Sequence, residues 1–217
     1  MDPPFNTVNR RLVGIAGTHG TGKTTLIRAL SVRNPQYPTV DESLSRNVQK
    51  EMGITNMMDV TKDAALLYDF ELRILDAMEK RDAALMETPG DEYIITTRTP
   101  ADMVAYLALW LRRLGVEIHL SSQYLDFRAR CEKLALRYRA YLILSIDEAV
   151  PFVAESGRAS EESRREQEAM LFRHIATEAY KSQVAPLFID AVPIAERVER
   201  AELFLTAFKK PRSKDGR

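Results

Sequence analysis

Short apolar runs and longer amphipathic segments alternate along the chain from residue 12 onward. Residues 12–16 are apolar and end at glycine, which predicts a buried strand. From Thr24 the positions Leu26, Ile27, Ala29 and Leu30 follow helical spacing and stop before Asn34-Pro35. Residues 37–40 predict a weaker strand, leading into Asp41-Glu42. Leu67, Ile74, Leu75, Met78 and Leu85 keep a period near 3.6, which predicts one long helix over 59–87, ended by Thr88-Pro89-Gly90.

The second half repeats the alternation. A strand is predicted at 93–96, and Pro100 opens a helix carrying Met103, Leu107, Trp110, Leu111 and Leu114, closed by Gly115. A helix over 122–139 leads into a strand at 141–146. Ser160 reads as the N-cap of a charged helix reaching about 183, residues 187–189 as the last strand, and Pro193 as the start of a helix ending near 208. Strands alternating with helices imply a parallel sheet with right-handed crossovers. No repeat and no Gly-, Ser- or Pro-rich linker divides the chain, so the expected organisation is an extension (1–10), one domain (11–208) and a basic tail (209–217).

Composition narrows the picture only slightly. The 217 residues are 45% apolar and 29% charged with zero formal net charge, so no global field draws the chain to nucleic acid or an anionic membrane. The longest apolar run, 104–111, is too short to span a bilayer, and residues 1–11 show no secretory signal, so a cytoplasmic protein is expected. Cys131 is the one cysteine and, set in a helical pattern with Leu125, Leu134 and Leu136, reads as an apolar filler.

The chemistry sits between the first strand and the first helix. Gly17-Thr18-His19-Gly20-Thr21-Gly22-Lys23-Thr24 matches G-x-x-x-x-G-K-[ST] at every specified position. The glycines let backbone N–H groups turn inward around phosphate oxygens, and the helix beginning near Lys23 aims its positive dipole end at them. Lys23 offers a mobile cation to the β- and γ-phosphates, and the Thr24 hydroxyl can ligate Mg²⁺. Residues 17–25, Thr25 included, are thus the expected binding loop for ATP and Mg²⁺, with His19 lining it.

Beyond the loop, Ile94-Ile-Thr-Thr-Arg98-Thr-Pro-Ala-Asp102-Met-Val-Ala-Tyr106 resembles the D-R-[ST]-x-x-D-x-x-A-Y segment of the P-loop nucleoside and nucleotide kinases. The likeness is greatest to the AAA-type, ribosylnicotinamide kinase-like domains of NAD metabolism. Val150-Pro-Phe-Val-Ala-Glu155-Ser-Gly157-Arg158 is similar to the element where their mobile lid begins. The resemblance covers about residues 10–208. It implies a three-layer α/β fold, a five-stranded parallel sheet in the order 2-3-1-4-5, and a lid over about 150–168. It further implies that Arg98, Glu42 and Asp102 hold the acceptor, that Asp41 or Glu42 serves as base, with Asp41 also toward the metal, and that Arg158 and Arg165 close over the triphosphate. Arg164 shares that segment, whose SEESRREQE also reads as solvated i,i+4 ion pairs.

Two departures stand out. Thr97 occupies the position of the family's Asp before Arg98, and Glu155-Ser-Gly157 replaces Asp-Gly before Arg158. Asp147, at the end of the strand predicted at 141–146, is a further acid, but an early acid beside the first strand is the family's usual arrangement. The expected activity is transfer of the γ-phosphoryl of Mg-ATP to a nucleoside, nucleotide or related acceptor, by a monomer or homodimer with no membrane partner. A kinase acting on polynucleotide, at strand ends or on 5-hydroxymethyluracil-type bases, is the alternative, and a regulatory ATPase comes third.

Overall fold

A computed structural model describes residues 11–41, 43–90, 92–146, 160–182, 184–190 and 192–207. At its centre β1 (Leu12–Ala16) is buried at all five positions, as expected of a strand covered on both faces. It pairs in parallel with β3 (Ile94–Thr97) on one side and β4 (Tyr138–Leu144) on the other. β2 (Thr39–Val40) and β5 (Ala185–Ile189) complete an all-parallel sheet in the order β2-β3-β1-β4-β5. This is the order implied by the sequence resemblance.

Alternating side chains sort the two faces. Val13 and Ile15 join Ile95, Leu142 and Leu144 in one apolar layer, under α1 (Lys23–Arg33) and α8 (Ile194–Ala207). Leu12 and Ala16 join Ile94, Tyr141 and Ile143 in the other, under α5 (Pro100–Arg113) and α7 (Glu161–Ser182). A third cluster lies beyond α5. There α2 (Leu44–Glu51), α3 (Met57–Val60), α4 (Ala64–Glu87) and α6 (Ser122–Ala135) bury Val60, Phe70, Ile74 and Phe127. Gly14 lets α5 approach the sheet: a Cβ there would lie 2.4 Å from the Thr99 methyl.

Several boundaries differ from expectation for identifiable reasons. The segment 59–87 is two helices, because Asp63 adopts an extended backbone and caps α4, accepting from the Ala65 and Leu66 N–H groups. Helix α2 buries only Leu44 and Val48, too few positions to reveal a period in the sequence. The helix predicted over 122–139 stops at Ala135, because Tyr138 belongs to the sheet, where it is fully buried and pairs with Leu12. Cys131 is buried beside Leu134, but Leu125 and Leu136 face solvent. Among the described residues, no helix is long and apolar enough to cross a membrane.

Candidate active site

The loop after β1 is held at its backbone by side chains from three distant elements. Asp102, in the first turn of α5, accepts the Gly17 N–H through Oδ1 at 3.0 Å. Its Oδ2 accepts from the Thr99 N–H at 2.8 Å and the Thr99 hydroxyl at 2.9 Å, closing a capping box at the helix start. Arg164 of α7 donates from Nε to the His19 carbonyl at 2.9 Å. Arg197 of α8 donates from Nη1 to the Thr21 carbonyl at 3.0 Å and from Nε to the Val192 carbonyl at 2.8 Å. Gly17 needs its missing side chain: at φ 145° it takes a backbone that L-residues rarely adopt, and a Cβ would lie 2.8 Å from the Leu144 carbonyl oxygen.

Within the loop, Lys23 Nζ donates to the Gly17 and Thr18 carbonyls, each at 2.6 Å, and the Thr21 hydroxyl donates to the Thr18 carbonyl at 2.8 Å. Thr24 and Thr25 are exposed at the start of α1. The polypeptide thus holds its own cation in the hollow where an anion would sit.

Two cavities flank this loop. One, about 220 Å³, is lined by Gly20, Gly22, Thr25, Ile146, Arg164 and Arg197, among others. The second, about 100 Å³, is lined by Gly17, His19, Lys23, Arg98, Asp102, Tyr106 and Gln167. Lys23 stands in the second together with Arg98, which leaves the carboxyl end of β3, where open α/β sheets bind their ligands.

Arg98 is the one non-glycine residue with positive φ, 64°, among the described residues. Its Nη2 lies 3.5 Å from Glu71 Oε2, and its Nε donates to Met103 Sδ at 3.2 Å. Glu71 is fully buried in α4, and burial pushes its carboxyl up to about 7 against the pull of Arg98. Tyr106 packs against Trp110, and burial raises its phenol beyond the usual range.

The residues expected from the sequence divide accordingly. The loop positions 17–25, Arg98 and Asp102 come together, although Asp102 anchors the loop and the α5 cap, with Arg98 turned instead to Glu71. Asp41 follows β2 and pairs with Arg28 of α1 at 3.6 Å, and it lines neither cavity. Arg165 pairs with Glu161 at 3.3 Å on an exposed face of α7, whereas its neighbour Arg164 turns inward to the loop. Glu42, Asp147 and the whole 150–158 element, Arg158 included, lie outside the described residues. Sequence reasoning missed Glu71, Arg197 and Gln167. Glu71 does carry a signal: it is an acid on the inward stripe of α4, level with Leu67, Ile74, Leu75 and Met78.

The sheet order and the loop define a P-loop protein with the fold of the nucleoside and nucleotide kinases. The family model described as an AAA domain matches residues 12–197, and the chain belongs to that family. The fold is similar to that of the deoxyadenosine kinase of M. mycoides with bound dCTP, at TM-score 0.63 and 16% identity over 90% of this chain and 99% of that one. It is likewise similar to the thymidylate kinase of Candida albicans, at TM-score 0.61 and 11% identity over 91% of each. The NadR protein in complex with NR matches at TM-score 0.64 and 17% identity, over 94% of this chain and 54% of that one. No curated protein sequence matches the chain.

Proposed function

We propose that the protein is a phosphotransferase that moves the γ-phosphoryl group of ATP to a nucleoside, nucleotide or related small acceptor. The observation that carries this reading is the shared cavity: Lys23, at the reactive end of a triphosphate loop, lines the same space as Arg98, Tyr106 and Gln167. A simple nucleotide switch has no need of a second cavity, lined by Arg98, Tyr106 and Gln167, beside the lysine of its loop. The structural neighbours support the same class, since a deoxyadenosine kinase and a thymidylate kinase share this fold.

In this reading the triphosphate lies along the loop, with its base toward the cavity of Arg164 and Arg197. Lys23 exchanges its two carbonyl contacts for phosphate oxygens, which costs little because hydrogen bonds are traded one for another. The acceptor oxygen attacks the γ-phosphorus, its bond to the bridging oxygen breaks, and ADP leaves. Positioning and charge neutralisation do most of the work in such a step. The acceptor's proton passes to a carboxylate following β2. Val40 is in register with Thr96, so Asp41 leaves the sheet beside Thr97, and it takes this part by exchanging Arg28 for the acceptor.

No group of three or more His, Cys, Asp or Glu among the described residues could cage a metal ion. The exposed Thr24 hydroxyl at the start of α1 fits the other common mode, in which Mg²⁺ is held by one hydroxyl, phosphate oxygens and water. When bound there, the ion would neutralise charge on the β- and γ-phosphates.

The test is direct. The protein is incubated with γ-labelled ATP and, separately, deoxyadenosine, other nucleosides, thymidylate, other mononucleotides and single- and double-stranded DNA. Label on a nucleoside or mononucleotide is expected. Label only in inorganic phosphate would sink the kinase reading, and label only on DNA would replace the acceptor class.

A further inference from the structure

The apolar inner stripe of α4 is interrupted at two levels by buried charge. Ile74, Leu75 and Met78 are flanked by Glu71 on one side and by Arg81 and Asp82 on the other, all buried. The two charged positions act on adjacent residues at the carboxyl end of β3, Arg81 on the Thr97 backbone and Glu71 on the Arg98 side chain. Arg81 Nη1 donates to the Thr97 carbonyl at 3.0 Å, fixing the peptide that enters Arg98. Arg81 is itself held by Asp82 Oδ1 at 2.9 Å from Nε and by the Tyr138 hydroxyl at 3.2 Å, while that hydroxyl donates to Asp82 Oδ2 at 2.8 Å.

Nearer the start of the same helix, Glu71 faces the Arg98 side chain. The left-handed backbone at Arg98 persists only where its surroundings over-determine it, and α4 supplies those surroundings at the main chain and the side chain together. Among the described residues neither Glu71 oxygen has a hydrogen-bond partner, and its nearest cation stands 3.5 Å off. A buried carboxyl so poorly satisfied is costly, and an apolar residue would fill the same place more stably. Arg98 is the part of the pair that reaches the cavity, whereas Glu71 does not touch it.

We infer that Glu71 is a positioning residue for the acceptor: from inside α4 it aims the Arg98 guanidinium into the cavity shared with Lys23. This rests on the kinase reading for its substrate but not for its geometry. The other titratable or charged groups around the pair are Tyr106 and Asp102 from α5 and His19 and Lys23 from the loop, with Gln167 from α7 as the neutral neighbour. Of these, His19 ordinarily titrates near neutrality, so a His19→Asn background separates its contribution.

Two measurements test the inference. The first needs no acceptor: the Arg98 Nε–H resonance, assigned by its loss in Arg98→Lys, is followed across pH in the His19→Asn background. It is expected to shift with a midpoint near 7, the value to which burial pushes Glu71, and Glu71→Gln should abolish that shift. The second is steady-state kinetics with ATP and deoxyadenosine or thymidylate. In Glu71→Gln the acceptor KM is expected to rise about ten- to hundred-fold with the ATP KM little changed, and Glu71→Asp should recover part of the loss. An Arg98 resonance with the same pH response in Glu71→Gln would overturn the inference even if the enzyme is a kinase. So would equal changes in both KM values, which mark general destabilisation. A normal resonance response without transfer to any acceptor would instead remove the kinase reading and leave the Glu71–Arg98 geometry standing.

Discussion

The phosphate loop and the cavity around Arg98 share Gly17, His19 and Lys23, yet they are built on opposite plans. The loop offers consecutive backbone groups from eight residues, and the side chains that reach it from distant elements, Asp102, Arg164 and Arg197, hold that backbone. The cavity offers side chains, and they come from the end of β3, the face of α5 and the second turn of α7, with α4 behind them. A phosphate is recognised by a run of N–H groups and one helix dipole, so a local motif suffices. An acceptor is recognised by separate polar groups converging from different elements, so its site exists only after folding.

The sharpest way to break this comparison is at the one side chain common to both regions that carries a mobile charge. Lys23→Ala is expected to lower phosphoryl transfer by about 10²–10³-fold or more, with the circular dichroism spectrum unchanged. Full turnover in that variant would remove the donor assignment. Asp102→Ala comes next, because one buried carboxylate joins the loop to α5. It should lower the urea midpoint by an amount equivalent to about 1.5–3 kcal/mol and weaken ATP binding, read by calorimetry. Intact ATP affinity would show that the loop holds its shape without α5.

Glu71 gives a smaller effect with a definite sign. Its carboxyl is raised from an ordinary 4.5 to about 7 in the fold, so between those values the unfolded chain ionises while the folded one stays protonated. Stability therefore falls as pH rises through that window and levels off above about 7. Glu71→Gln removes the dependence, so its melting temperature relative to the parent should climb from about pH 5 to about pH 8. A constant difference would place the Glu71 titration elsewhere. Smallest of all is Arg165→Ala, which breaks an exposed i,i+4 pair with Glu161 worth about 0.3–0.5 kcal/mol and should leave ATP affinity unchanged. Its neighbour Arg164→Ala should weaken ATP binding measurably, and equal behaviour of the two would refute their division of labour.

Much of this was readable beforehand, and the unread part has a common cause. The strand at 12–16, the strand predicted at 93–96 and found at 94–97, and the helix opening at Pro100 follow from apolar runs and caps, which are local. Helix α2 buries two side chains, so its period is invisible, and Tyr138 reads as part of the preceding helix because its partner Leu12 lies far away in the chain. Arg164 and Arg165 are indistinguishable in SEESRREQE. Only the packing of α7 against α5 turns one toward the His19 carbonyl and leaves the other to Glu161.

What the amino-acid order determined by itself is the P-loop, because its motif resides in contiguous backbone and needs glycine, lysine and threonine at fixed spacing. It determined the alternation of strand and helix for the same local reason. Only the tertiary structure decided that Asp102 serves the loop, that Arg197 from the last helix clamps it, and that a glutamate in the core stripe of α4 stands behind Arg98. Those roles depend on which distant side chains meet, and the parallel crossovers of the sheet bring them together.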